Sequence, residues 1–354
     1  MLIIVICNIN LVISIVIIFC SINWFIIWAF MELVTLSMVV LLSREGGPRP
    51  AESTSKYFLL QAIASVIVLS GIVLNLFLED SLSIFGNYNV VAYNLLIIGL
   101  LLKMAIFPNP FWFVDVVSGI NIMRSIYVLI VSKIIPLYFF FILSFGGLTY
   151  LVILVSLLSV VYGSILGVNQ QSVRKIVALS SIAHLGWILL SFPLLPGVVC
   201  VFLFLGYVTM LFPFLWSLFM SGVNTIIKSS NGYYNDYNNK ALVLSLLSLS
   251  GLPPFIGFVY KWVIFNTLLN NNFVLICLIL ILCSLISLFF YLQVCFSNNG
   301  SYWPEFKMIF LFNFRLSQLS LVLYLLVFFS FCVINLFVIL SIVYLSPLSG
   351  WLWL

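Results

Sequence analysis

The sequence predicts an all-α polytopic membrane protein of about eleven transmembrane helices, two of them broken by proline. Three observations predict it. First, 65% of the 354 residues are hydrophobic and only 6% are charged, with a mean hydropathy of +1.33. A soluble domain is nearer ~45–50% apolar and ~25% charged. A chain this apolar cannot hide its surface in one core, so its solvent must be lipid. Second, the apolar residues fall into runs of about 20, the length that crosses a bilayer as a helix. Third, the basic residues sort onto one side of those runs.

The candidate spans are 2–20, 24–43, 57–78, 90–107, 121–145, 149–167, 176–192, 197–223, 241–268, 273–296 and 318–345. The first, "MLIIVICNINLVISIVIIFC", has no basic leader and no cleavage site, so it reads as a span rather than a signal peptide. Polar stretches such as "SREGGPRPAESTSK", "GVNQQSVRK" and "KSSNGYYNDYNNK" punctuate the runs, with no soluble domain between them. Residues 1–354 are therefore expected to form a single transmembrane domain. Each crossing changes sides. The N-terminal side then receives Arg44, Arg49, Lys56, Arg124, Arg174, Lys175, Lys228, Lys240, Lys307 and Arg315, and the other side only Glu79 and Asp80. By the positive-inside rule the N-terminal side is the cytoplasm or matrix, and the C-terminus lies opposite.

Three lysines escape this sorting. Lys103, Lys133 and Lys261 fall within spans, as does one acid, Glu32. An ionisable group at mid-membrane costs roughly 2.5–3.5 kcal/mol on insertion scales. Four of them need an offset: carboxylate–ammonium pairing, or water held inside the protein. Desolvation disfavours a charged lysine and a neighbouring carboxylate favours it, so a lysine held between them changes protonation as its partner moves. That is the chemistry of a proton relay. The bland alternative is snorkelling to the interface. Lys133 lies about 13 Å of helix rise beyond Arg124, a depth that strains a lysine's reach.

Two spans combine a lysine with a break: "KMAIFPNPFWF" around Lys103, and "LSLSGLPPFIGFVYKW", where Gly251, Pro253 and Pro254 precede Lys261. Proline removes a backbone donor and clashes with the preceding turn. Freed backbone groups persist in a membrane only where protein or cavity water meets them, and interrupted helices beside intramembrane charges mark transport sites. Pro136, just after Lys133, is expected to distort a third helix. The one histidine, His184, fits two roles: a proton carrier between lysines, and a neutral packing residue beside Ser180 and Ser181.

The cysteines exclude other chemistry. All seven lie in apolar runs with no CxxC pair, which argues against a metal cluster, zinc or a disulfide framework. No nucleotide-binding glycine loop occurs. The net charge of +5 belongs to the loops and is no sign of nucleic acid.

Four stretches carry a resemblance: "KYFLLQAIAS" (56–65), "LLLKMAIFPNPFWFVDVVSG" (100–119), "GVNQQSVRKIVALSSIAHLGW" (167–187) and "LSLSGLPPFIGFVYKW" (247–262). In this order they resemble subunit 2 of the mitochondrial NADH dehydrogenase, respiratory complex I. The resemblance implies an antiporter-like fold in the membrane arm, with inverted five-helix units and two broken helices. It also implies a proton path through an acid, a broken-helix lysine, a central lysine and a lysine on the second broken helix, which match Glu32, Lys103, Lys133 and Lys261, with His184 on the same hydrophilic axis. It further implies a multi-pass protein of the mitochondrial inner membrane, hetero-oligomeric with other membrane-arm subunits and surrounded by lipid. This chain is expected to hold no cofactor; NADH, FMN, iron–sulfur clusters and ubiquinone are expected in partner subunits. The sequence departs from the family's "KMGxxPFHxWxPDxxxG" pattern: Ala105 replaces the glycine, Asn109 and Pro110 the Phe-His pair, and Val114 a proline. The residues themselves leave two rivals open, a stand-alone cation/proton antiporter and a non-conducting scaffold.

Overall fold

The structure is a computed structural model that describes residues 2–44, 46–143, 149–195, 197–221, 236–253 and 255–299. Helices α1 (Leu2–Cys20), α2 (Trp24–Ser43), α3 (Pro48–Glu79), α4 (Val90–Met104), α5 (Phe111–Gly119) and α6 (Ile122–Ile126) come first. A π-helical turn, Tyr127–Val131, leads into α7 (Ser132–Leu143). Then follow α8 (Thr149–Val168), α9 (Val173–Ser191), α10 (Gly197–Ser221), α11 (Asp236–Ser250), α12 (Ile256–Asn270) and α13 (Val274–Asn299). Among the described residues, 8 helical runs are long and apolar enough to cross a membrane. The spans expected at 90–107 and 241–268 are the broken ones: the first is α4 with its break, continued past the prolines by α5, and the second divides into α11 and α12. The protein is all-α and polytopic. The span expected at 318–345 lies outside the described residues.

Local chemistry sets the helix ends. Asn23 and Asn89 cap α2 and α4: the N–H groups of Phe25 and Val91 donate to their side-chain oxygens, each at 3.0 Å. Pro48 and Pro50 open α3, where a missing N–H leaves nothing unsatisfied. Pro136 does not end α7. An irregularity lies N-terminal to it, as the π-helical turn Tyr127–Val131 that precedes α7.

Contacts divide the chain into two compact units, Met1–Gly163 with Val177–Pro193, and Ser164–Ile176 with Leu194–Leu354. In the first, α3 packs along α2, α4 and α5, and α4 along α7. Glycine brings α3 and α4 close: a Cβ on Gly99 would lie 2.6 Å from Val68 Cγ2, and one on Gly71 would lie 3.1 Å from the Ala92 carbonyl. One end of this unit gathers charge: Lys56 pairs with Glu52 (2.8 Å) and Asp115 (3.2 Å), and Arg124 Nη1 donates to the Leu42 carbonyl (3.4 Å). At the other end residues 21–23 meet the 80–89 turn through an Asn23–Ser83 bridge. In the second unit α11 packs against α10, α12 and α13. Along α3, Gln61, Ser65 and Asn75 are buried while Leu59, Ile63, Val66 and Phe77 are exposed, the arrangement of a helix whose outer solvent is apolar.

Candidate functional site

The first broken helix is built by one residue and two prolines. Ala105 turns left-handed (φ 60°, ψ 40°), and its N–H donates back to the Leu101 and Leu102 carbonyls. Pro108 and Pro110 lack an N–H, and helix resumes only at Phe111. A left-handed residue bearing a Cβ costs roughly 1–2 kcal/mol, which is why glycine suits this position. The break forms here with alanine in its place.

The break exposes the last carbonyls of α4, and two side chains take them. Gln61 Nε2, from α3, donates to the Lys103 carbonyl (3.3 Å). Lys133 Nζ, from α7, donates to the Met104 carbonyl (2.5 Å). Lys133 is 0% exposed, and its ammonium also stands 4.2 Å from the Phe113 ring centroid and 5.7 Å from that of Trp112, both on α5. Ring faces attract a cation, most strongly where water is excluded. The lysine thus meets the negative end of α4 and two aromatic rings at once.

Lys103 is held differently. It occupies the last turn of α4, is 3% exposed, and its Nζ meets no acceptor among the described residues. The Glu32 carboxylate on α2 is near enough to act on it through charge, without a direct ion pair among the described residues. Thr35 Oγ1 lies 3.1 Å from Glu32 Oε2 and 2.8 Å from the Glu32 carbonyl, a donor shared between them.

In the second unit α11 ends at Ser250, and Gly251 turns left-handed (φ 82°). Lys261, on α12 and 7% exposed, donates to the Ser250 carbonyl (2.7 Å). Its helix re-enters tightly: a Cβ on Gly257 would collide with the Ser248 carbonyl. Both broken helices therefore end alike. The last helical carbonyl accepts from a buried lysine, and the next residue is left-handed.

Of the residues singled out in the sequence, Glu32, Lys103 and Lys133 gather around the end of α4. His184 belongs to the same unit, 4% exposed on α9, which lies close against α8: a Cβ on Gly186 would sit 2.8 Å from the Ser156 carbonyl. Its neighbours Ser180 and Ser181 direct their hydroxyls to the Val177 and Ala178 carbonyls of their own helix. Lys261 belongs to the second unit. Sequence reasoning passed over Gln61 and Trp112. A glutamine inside an apolar span was the available signal for the first; nothing marked the second.

A polytopic helical protein whose broken helices end on buried lysines has the architecture of an ion-translocating membrane subunit. Residues 21–287 match the family described as NADH:quinone oxidoreductase/Mrp antiporter, TM. NADH-ubiquinone oxidoreductase chain 2 of Pisaster ochraceus is 36% identical over 313 residues, 86% of each chain. Among solved structures, a chain of respiratory complex I from Thermus thermophilus, with bound aureothin, superposes with a TM-score of 0.74 at 23% identity, over 86% of this chain and 71% of that one. A chain of the Mrp complex from Dietzia sp. DQ12-45-1b gives 0.72 at 18% identity, over 78% of this chain and 57% of that one, so the present chain spans little more than half its length. At these identities the structural likeness carries the fold alone. The chain belongs to the NADH:quinone oxidoreductase/Mrp antiporter membrane family, in the group of NADH-ubiquinone oxidoreductase chain 2 proteins.

Proposed function

We propose that this chain is the antiporter-like chain 2 of a proton-pumping NADH:ubiquinone oxidoreductase in the mitochondrial inner membrane, that it moves protons, and that it holds no redox centre. NADH, FMN, iron–sulfur clusters and ubiquinone are then the business of partner subunits, and other membrane-arm subunits flank it in the lipid. The end that carries Lys56, Arg124 and their neighbours faces the matrix. One observation supports the relay most: buried lysines placed on the carbonyl ends of broken helices, inside a chain with almost no other intramembrane charge.

The chemistry is a proton transfer. A carboxylate at Glu32 favours the charged form of Lys103. Separating them leaves a buried ammonium uncompensated. Lys103 then passes from ammonium to amine and Lys133 from amine to ammonium, on a site already facing the partial negative charge of the α4 end. Electron transfer elsewhere in the complex supplies the work by moving that pair apart. Lys261, on its own broken helix, is the corresponding carrier of the second unit.

Lys133→Met in the assembled complex tests this. NADH-driven proton pumping into sealed vesicles is expected to fall about 10²-fold, the scale on which a positioned acid–base group contributes. NADH oxidation by a hydrophilic artificial acceptor, which reports the redox arm, stays intact. A fully assembled variant that pumps normally establishes the scaffold reading instead.

A further inference from the structure

We infer that Gln61 is a positioning residue of the relay: its amide fixes the end of α4, and through it the ammonium of Lys103 and the carbonyl that receives Lys133. The inference rests on the proton-relay reading above. Three observations lead to it. The register of α3 on α4 is set by glycine: Gly71 faces Ala92 and Leu96, and Gly99 faces Ala64 and Val68. One further turn along each helix places Gln61 opposite Lys103, and Gln61 Nε2 donates to the backbone carbonyl of that lysine (3.3 Å). Gln61 is 3% exposed, in a span whose outward side chains are apolar, so the amide is held inside.

The end of α4 has four last carbonyls to satisfy. Those of Leu101 and Leu102 accept from the N–H groups of Ala105 and Ile106. The Met104 carbonyl accepts from Lys133, whose charge changes during the proposed transfer. The Lys103 carbonyl accepts from Gln61, which does not titrate. Gln61 is therefore the side-chain contact at this break whose donor does not titrate. It holds the backbone of Lys103 while the side chain gains or loses its proton. Without it, the last turn is free to fray into the break, which carries Lys103 away from Glu32 and the Met104 carbonyl away from Lys133.

Three variants in the assembled complex test this beside Lys133→Met. Gln61→Met keeps the shape and removes the donor. Gln61→His returns an N–H at the same number of bonds from the backbone. Gln61→Asn keeps the amide and withdraws it by one methylene. A neutral hydrogen bond of about 1 kcal/mol corresponds to about a fivefold effect. Gln61→Met is expected to lower protons pumped per electron about fivefold with the artificial-acceptor rate unchanged, and Gln61→His to restore it. If Gln61→Met does not assemble, Gln61→Asn reads the same quantity and is expected to be lowered. Wild-type stoichiometry in Gln61→Met, or in Gln61→Asn where it stands in, overturns the inference. So does a Gln61→His variant that pumps no better than Gln61→Met. Normal pumping by Lys133→Met removes the relay reading itself, whereas a Lys133→Met defect beside wild-type Gln61→Met removes only the role of Gln61.

Discussion

Replacing Gly251 with alanine separates the position of a lysine from its chemistry. The substitution leaves the Lys261 ammonium in the chain and moves the place it occupies. Gly251 holds φ at 82°, where a residue with a Cβ costs roughly 1–2 kcal/mol. The added Cβ would also stand 3.0 Å from both Cδ and Nζ of Lys261, so the lysine must shift. Its contact with the Ser250 carbonyl, now 2.7 Å, is a hydrogen bond from a charged donor, worth about 1.5–3 kcal/mol. The backbone cost appears as lower thermal stability of the complex. The weakened contact appears as transport, and at 1.4 kcal/mol per factor of ten its full loss sets an upper bound of about a 10- to 100-fold drop. The assay is NADH-driven proton uptake in proteoliposomes, normalised to assembled complex. Gly46→Ala is the control, because a Cβ there meets nothing within 4 Å. A Gly251→Ala complex that assembles and pumps like Gly46→Ala refutes the claim that the ammonium must sit on the end of α11.

Two further outcomes follow from the same contacts. Gly99→Ala would push a Cβ to 2.6 Å from Val68 Cγ2 and 3.1 Å from the Ala64 carbonyl; overpacking of this kind costs about 1–3 kcal/mol, read as a lower melting temperature of the isolated complex. Lys261→Arg keeps a cation and its donors at the Ser250 carbonyl but cannot give up its proton, so it is expected to assemble normally and lose pumping; normal pumping shows that Lys261 carries no proton.

Much of this architecture was legible in the sequence because lipid is a severe solvent. A backbone in hydrocarbon must close its own hydrogen bonds, so apolar runs of the right length are helices. A charge there is costly enough that Lys103, Lys133 and Lys261 stood out without any fold. The breaks were legible from Pro108, Pro110 and Pro253, which cannot donate. Pairing across helices was not. Lys133 and Met104 are 29 residues apart, and Gln61 and Lys103 are 42 apart; only the packing of α4 on α3 and α7 joins them. For the same reason the two breaks look unlike in sequence, where a lysine precedes one and follows the other. In three dimensions the matching lysines are Lys133 and Lys261, one from a neighbouring helix and one from the following half-helix. The distortion expected at Pro136 is not a break, since α7 continues through it; the irregular turn of this span is Tyr127–Val131.

In the proposed relay, the partners of these lysines suit carrying a proton rather than merely storing one. A contact ion pair with a carboxylate would fix the charged state, since stripping one partner from a buried pair leaves an uncompensated charge worth about 3–5 kcal/mol. A helix-end carbonyl offers only part of a charge, about half an electron over the whole terminus. It also accepts a hydrogen bond from either form of the lysine, more weakly from an amine than from an ammonium. Lys133 and Lys261 can therefore keep their places on Met104 and Ser250 through a change of protonation. Lys103 is the reverse case. It meets no acceptor among the described residues, and no direct ion pair joins it to Glu32 among them. In the proposed relay the Lys103 proton follows the Glu32 carboxylate, while Lys133 has a carbonyl acceptor in either protonation state. In the proposed relay, a displacement at Glu32 releases the Lys103 proton towards Lys133, which already has an acceptor at the α4 end.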